Sequence, residues 1–335
     1  MQRWVPGDGS AMSRPQKLLV LRPGAVGDGL LSFPALAALR RARPDLYVIL
    51  AAHPAIGLLA QRFQACDQFV SFDSPAVAAL YTRDGGKLAM QHWGPTTHAV
   101  VWSKEPPAAL RENLRALRVS RPVLASPEPG RAGVHVAAHL VATLRSLAPR
   151  LDNAEIDSIA PSGASPPSPR SGAGKGRSGP LKMALHPGSG SARKNWPTAR
   201  FLDLGRRWQS QLRGTVTIVL GPAEAGIRAQ VSRAAVEQGW STADNLSLDQ
   251  LAEVLSDHDI YVGNDSGVSH LAGIHGAPTV ALFGPTDPDC WAPVGPLVRT
   301  VRAQPIEQLA LTRVWDEVVD LISACGYPAS AALSE

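Results

Sequence analysis

The chain has 335 residues, 44% of them apolar and 18% charged, with a formal net charge of +5. At about 100 to 200 residues per domain, this is roughly two domains with a core in each, and the composition excludes a disordered or fibrous chain. No apolar run approaches the roughly 18 to 20 residues of a membrane-spanning helix, and the opening MQRWVPGDGSAMSRPQ lacks a signal-peptide core, so the expected setting is the cytoplasm.

The predicted elements begin after an N-terminal extension, residues 1–16, expected to be flexible. In chain order, KLLVLR reads as a strand and LLSFPALAALRRAR as a helix. LYVILAA is a second strand and PAIGLLAQRF a second helix, followed by the strand THAVVW and a helix near VHVAAHLVATLRSL. Strand–helix alternation predicts a parallel sheet wrapped by helices over 17–160. The stretch 161–180, PSGASPPSPRSGAGKGRSGP, holds five Pro, five Gly and five Ser and reads as a linker. It also carries three basic residues and no acidic one, so the net charge elsewhere is +2, and a nucleic-acid partner is not expected.

The rhythm restarts over 181–335. LKMALHPG, GTVTIVLGP, DIYVGND and PTVALFG read as strands. PTARFLDLGRRWQSQL, GIRAQVSRAAVEQG, LDQLAEVLSDH and GVSHLAGIHG read as helices. A last helix, LTRVWDEVVDLIS, is placed against the domain junction. Both halves open with a strand ending in Pro-Gly, a small-residue loop and a helix, which points to two similar domains with functional loops facing one cleft. The three cysteines, Cys66, Cys290 and Cys325, are too far apart for a CxxC pair and read as reduced and structural.

Three loops carry candidate chemistry. In Pro23-Gly24-Ala25-Val26-Gly27-Asp28-Gly29 the glycines follow GxxGxG rather than GxGxxG, which argues against a dinucleotide fingerprint and against a dehydrogenase. Asp28 is a helix cap, a general base at a strand end, or both. In the loop Pro187 to Pro197, Ser189, Gly190 and Ser191 allow close backbone approach, and Lys194 supplies a cation suited to a diphosphate or is simply solvated. In Gly263 to His270, free N–H groups around Ser266 and Gly267 make an anion site at a helix start. Asp265 caps or binds sugar hydroxyls there, and His270 lies one turn in.

The segments LLVLRPGAVGDGLLSFPAL, LHPGSGSARKNWP, LGPAE and YVGNDSGVSHLAGIHGAPTVALFGPTDP, in that order, resemble the hallmark segments of the lipopolysaccharide heptosyltransferases, glycosyltransferase family nine. The resemblance spans about residues 17 to 290. It implies an α/β GT-B fold of two Rossmann-like domains, with a glycolipid acceptor held by the first and an ADP-heptose donor by the second. By this resemblance Asp28 matches the catalytic base, Lys194 the lysine on the donor phosphate, and Ser189 and Gly190 the positions before it. Glu224, in Gly221-Pro222-Ala223-Glu224, matches the acid on the adenosine ribose. Asp265, Ser266, Gly267 and His270 match the family's DTGxxH block, and Leu246 falls where an apolar residue packs against adenine, or else in the core.

The implied reaction is a single inverting displacement, with the diphosphate held by Lys194 and a helix N-terminus and no metal required. Gly284-Pro285-Thr286 ends the last motif and is expected to line the donor pocket; Asp287-Pro288-Asp289, which follows it, spells DxD but reads as a turn. Arg111, Arg115 and Arg118, at i, i+4 and i+7, form a basic face for an acidic acceptor or a solvated helix face. The acceptor, Kdo or heptose, would be met at the cytoplasmic face of the inner membrane. The alternatives are another nucleotide sugar on the same fold, or a non-catalytic nucleotide-binding protein.

Overall fold

The computed structural model describes residues 16–151 and 179–327. Nearly all of the 1–16 extension and of the 161–180 linker therefore lies outside the described residues.

The first lobe runs β1 (Gln16–Arg22), α1 (Val26–Leu30), α2 (Phe33–Ala42), β2 (Leu46–Ala52), α3 (Gly57–Arg62) and β3 (Gln68–Ser71). It continues with α4 (Pro75–Tyr81), α5 (Gly86–Trp93), β4 (His98–Trp102), α6 (Ala108–Ala116), β5 (Val123–Ala125) and α7 (Val136–Thr143). Leu18 to Leu21 have no exposed surface, which is why this strand reads as an unbroken apolar run: helices cover both faces of the sheet. The strand order is β3-β2-β1-β4-β5, and every pairing is parallel.

The second lobe runs β6 (Lys182–His186), α8 (Thr198–Leu212), β7 (Thr215–Leu220), α9 (Arg228–Gln238), β8 (Ser241–Asp244) and α10 (Leu248–Ser256). Then come β9 (Ile260–Asn264), α11 (Gly267–Ile274), β10 (Thr279–Phe283), α12 (Pro288–Trp291), β11 (Val298–Arg302) and α13 (Leu311–Ala324). Its parallel order is β11-β10-β9-β6-β7-β8.

Each chain half winds outward one way, returns to the middle and winds out the other way. The winding reverses between β1 and β4 in one sheet and between β6 and β9 in the other. A crevice opens outside the carboxyl ends of strands at such a point, because the two following loops diverge. The loops after β1, β6 and β9 are the ones that carry the sequence motifs.

The lobes are joined by apolar packing. One buried cluster includes Ile56, Leu59 and Phe63 of the first lobe together with Leu251, Ala252, Leu255 and Leu271 of the second. The Phe63 ring meets the His275 ring edge-on at 5.8 Å. His135, at the start of α7, adds a polar tie: Nδ1 accepts the Ala137 N–H, leaving Nε2 to donate to the Ala292 carbonyl at 2.9 Å.

Several elements differ from the sequence reading. The helix after Asp28 is two pieces, α1 and α2, the latter with Pro34 in its first turn. PAIGLLAQRF begins as a 3-10 turn, Pro54–Ile56, before α3. The sequence reading did not identify α4, α5, α12 or strands β3, β5, β8 and β11. The last helix does not cross the junction: Val314, Trp315, Val318, Leu321 and Ile322 of α13 pack into the second lobe's own core, with the Arg207 guanidinium over the Trp315 ring at 4.6 Å.

Candidate functional site

A cleft of 570 Å³ lies between the lobes, with Asp28, His53 and Glu128 on the first-lobe wall. Across from them are Gly190, Lys194, Asp265, Ser266, Gly267, His270, Thr286 and Trp291.

Asp28 is the third residue of α1. Its Oδ2 accepts the Ala25 N–H at 2.9 Å, closing the first turn, and its Oδ1 accepts from the Arg22 guanidinium at 3.0 Å. The residue is therefore a helix cap and a cleft carboxylate at once. Arg22, the last residue of β1, is 3% exposed and its Nε has no partner among the described residues. Burial pulls the Arg22 pKa below its ordinary value, opposed by Asp28 and by Glu128. A guanidinium is kept at this depth because Asp28 compensates it.

The opposite wall is assembled from the loops after β6 and β9. Lys194 ends a short 3-10 turn, and its Nζ donates to Asp265 Oδ2 at 2.8 Å. Thr286 donates its hydroxyl to the same oxygen at 2.6 Å. Asn264 has no exposed surface and stitches the two loops: its Oδ1 accepts the Trp196 N–H at 2.9 Å and its Nδ2 donates to the Pro187 carbonyl at 2.8 Å.

Ser266 caps α11, its Oγ accepting the Ser269 N–H at 3.4 Å. The helix thus begins at Gly267 with its N-terminal N–H groups and dipole directed into the cleft. His270 is 6% exposed, and its Nδ1 has no partner among the described residues. Burial pushes the imidazole pKa down to about 4; His135 and Lys194 act in the same direction, while Asp265 and Asp28 oppose them. The ring is neutral at pH 7.

The lobes touch where α1 meets α11. A Cβ on Gly27 would lie 2.9 Å from His270 Cδ2, and one on Gly267 would lie 3.1 Å from Val26 Cγ1. Both are tighter than ordinary contact, so glycine at the two positions is what lets Asp28 approach the α11 N-terminus.

The structure thus brings together Asp28, Gly190, Lys194, Asp265, Ser266, Gly267 and His270. It does not bring the remaining candidates to the cleft. Ser189 is 8% exposed, and its hydroxyl is engaged within its own loop by Asn195 Oδ1 at 2.6 Å and the Ser191 carbonyl at 2.8 Å. Glu224 has no exposed surface. Its Oε2 accepts the Gly221 N–H at 2.5 Å and its Oε1 lies 3.1 Å from His186 Nε2. Burial alone would raise its pKa, but His186 and the N–H groups of Gly221 and Glu224 outweigh it and hold the carboxyl below its ordinary range. Oε1 is otherwise without a hydrogen-bond partner among the described residues, and the carboxylate lies outside the cleft lining.

Leu246 packs half-buried against the apolar cluster, one residue before the Ser247 cap of α10, in keeping with the core alternative. Arg111 and Arg115 are exposed on α6, away from the cleft lining. Arg118 lies beyond the helix end with φ 73°, so the three arginines form no continuous helical face. Asp287 caps α12 through the Asp289 N–H and bonds Arg302, so the DxD run opens a short helix rather than the expected turn.

Arg22, Asn264, His53, Glu128 and Trp291 were not identified from the sequence, whereas Thr286, read with Gly284 and Pro285 as lining the donor pocket, borders the cleft. Asn264 sits inside a quoted motif, so its position was the available signal. His53, Glu128 and Trp291 reach the cleft only through strand order and lobe packing.

The family model for glycosyltransferase family 9 (heptosyltransferase) matches residues 136–314. The chain is 30% identical over 114 residues to lipopolysaccharide heptosyltransferase 2 of Escherichia coli K12, covering 32% of each. It is 34% identical over 109 residues to lipopolysaccharide heptosyltransferase 1 of Pseudomonas aeruginosa, covering 32% of this chain and 30% of that one. The chain thus matches about a third of the length of these curated relatives.

Among solved structures, a glycosyl transferase family 9 protein from Veillonella parvula superposes with TM-score 0.71 at 15% identity, covering 94% of this chain and 99% of that one. E. coli ADP-heptose LPS heptosyltransferase II gives 0.69 at 16%, covering 92% and 99%. E. coli heptosyltransferase WaaC with ADP-2-deoxy-2-fluoro heptose gives 0.63 at 16%, covering 91% and 99%. These likenesses are of fold: two parallel-sheet lobes across a cleft, the GT-B arrangement. With just over half its length matched by the family model, the chain belongs to glycosyltransferase family 9.

Proposed function

We propose that the chain is an inverting glycosyltransferase that moves heptose from ADP-heptose onto a lipopolysaccharide core sugar, Kdo or heptose. The observation that carries this reading is the opposition of Asp28 on one lobe to Lys194 and the α11 N-terminus on the other, lining one cleft. The names of the relatives and the ADP-sugar complex of the WaaC neighbour support the donor.

In this reading the donor diphosphate lies on the second lobe, against the N–H groups of Gly267 and Val268 and the Lys194 ammonium. Lys194 is held beside this seat by Asp265 and turns part of its hydrogen bonding to the phosphate. Asp28, held in place by Arg22 and Ala25, takes the proton of the acceptor hydroxyl as that oxygen attacks the anomeric carbon from the face opposite ADP. The C–O bond to the diphosphate breaks with its electron pair going to ADP, whose growing charge Lys194 and the helix dipole stabilise. The fixed positive groups carry this charge, so the reading assigns no metal ion.

No helix among the described residues is long and apolar enough to cross a membrane; the reading has a cytoplasmic protein meeting a glycolipid at the membrane surface. A ribose is common to all nucleotide sugars, so a contact from Glu224 would not select among them. A thermal-shift and transfer panel with ADP-, GDP- and UDP-heptose tests the donor. ADP-heptose should both stabilise the protein and be consumed. Preference for another nucleotide would replace the donor, and no stabilisation or turnover with any of them would contradict the reading.

A further inference from the structure

Behind the α11 N-terminus, a line of buried polar side chains crosses the second sheet at its carboxyl edge. Strands β7, β6 and β9 are neighbours there, and Glu224, His186 and Ser266 stand at or just beyond their ends. Glu224 closes the 3-10 turn Pro222–Glu224, and His186 is the last residue of β6, 4% exposed. A Cβ on Gly188 would overlap Glu224 Oε1, so the carboxylate fits beneath the β6 loop because that position is glycine.

The line has a direction. An ionised carboxylate only accepts, so His186 Nε2, 3.1 Å from Glu224 Oε1, carries the hydrogen of the neutral ring. Nδ1 is then an acceptor, 3.4 Å from Ser266 Oγ. That same oxygen lies 3.4 Å from the Ser269 N–H it caps. The Ser269 side chain is committed elsewhere: its Oγ donates to the Asn264 carbonyl at 2.5 Å and accepts the Tyr261 hydroxyl at 3.0 Å. An N-cap oxygen can accept from the second or the third N–H of its helix, which in α11 belong to Val268 and Ser269. Held on Ser269, Oγ leaves the Gly267 and Val268 N–H groups to an anion; released, it can turn onto Val268 and compete with one.

We propose that His186, fixed by Glu224, is a positioning residue of the diphosphate seat: its Nδ1 takes the hydrogen of the Ser266 hydroxyl, holds the oxygen on the Ser269 N–H, and so keeps the Gly267 and Val268 N–H groups open for the diphosphate. His186 is not among the described residues that line the cleft, whereas Ser266 is, so the imidazole acts through that hydroxyl. The proposal rests on the transferase reading of the cleft and adds to it a residue behind the wall.

The test sets ADP affinity, by calorimetry on the full chain, against stability in urea. Glutamine places its amide where Nε2 stands, and asparagine where Nδ1 stands. His186→Gln thus keeps a partner for Glu224 and loses the one for Ser266; it should weaken ADP about tenfold with a small loss of stability. His186→Asn keeps a partner for Ser266 and strands the Glu224 carboxylate; it should bind ADP within about threefold of the wild type yet be the less stable of the two. Adding Ser266→Ala to His186→Gln removes the competing oxygen and should recover most of the lost affinity, a result that holds whether or not His186→Asn folds. Wild-type affinity in His186→Gln, ADP affinities that follow the order of stability, or a double variant no better than His186→Gln would overturn the proposal while the wild type still binds ADP. A wild type that fails to bind ADP would instead overturn the nucleotide-sugar reading, and the proposal with it.

Discussion

Asp28 shows how one side chain takes two structural jobs without losing a chemical one. One oxygen closes the first turn of α1 and the other holds Arg22, yet the residue still borders the cleft. The cap was legible in the sequence because it depends on a neighbour three residues away, whereas the bond to Arg22 was not read there. Glu224 was not legible in the same way: its fate is decided by His186, which reaches it only through the fold. His270 yields a pH prediction. Its folded pKa, about 4, is below the ordinary imidazole value of 6.5, so the unfolded chain binds the proton first as pH falls. The corresponding stability is complete above pH about 6.5 and is lost toward pH 4, by up to about 3 kcal/mol. Urea unfolding at pH 7 and pH 4.5 should show this loss, and His270→Gln should reduce it. Lys194→Ala should weaken ADP binding by about tenfold or more, read by calorimetry, since a charge-assisted contact to phosphate is removed.

At the scale of elements, the contact of α1 with α11 sets the distance between base and phosphate seat. Gly27→Ala places a methyl 2.9 Å from His270 Cδ2 and should push the helices apart. Turnover should fall by about 10- to 100-fold while the melting temperature holds, because alanine favours helix and only the alignment is lost. Asn264→Ala removes both bonds that tie the β6 loop to the β9 loop, stranding the Trp196 N–H and the Pro187 carbonyl. It should cost about 3 kcal/mol in denaturant unfolding. The motif-bearing strands β1, β6, β9 and β10 were readable as apolar runs. β8, Ser241–Asp244, was not: three of its four residues are exposed, so it lacks the apolar signature and is held by pairing with β7.

For the whole molecule, the doubled α/β pattern and the meeting of loops at one cleft followed from alternation and the placement of small-residue loops. The seam beneath the cleft did not, since Leu59, Phe63 and Leu251 look like ordinary core residues until the lobes are docked. Because that seam is shared, both lobes should unfold in one calorimetric transition; two well-separated transitions would contradict a common core. Leu59→Ala should lower the stability of the whole by about 2–5 kcal/mol. The central claim is that a carboxylate on one lobe removes a proton while the other lobe holds the leaving diphosphate. Single-turnover transfer from saturating ADP-heptose, wild type against Asp28→Asn, tests it most directly. The account predicts a rate about 10²- to 10⁴-fold lower with ADP-heptose affinity retained; an undiminished rate in the variant would contradict it.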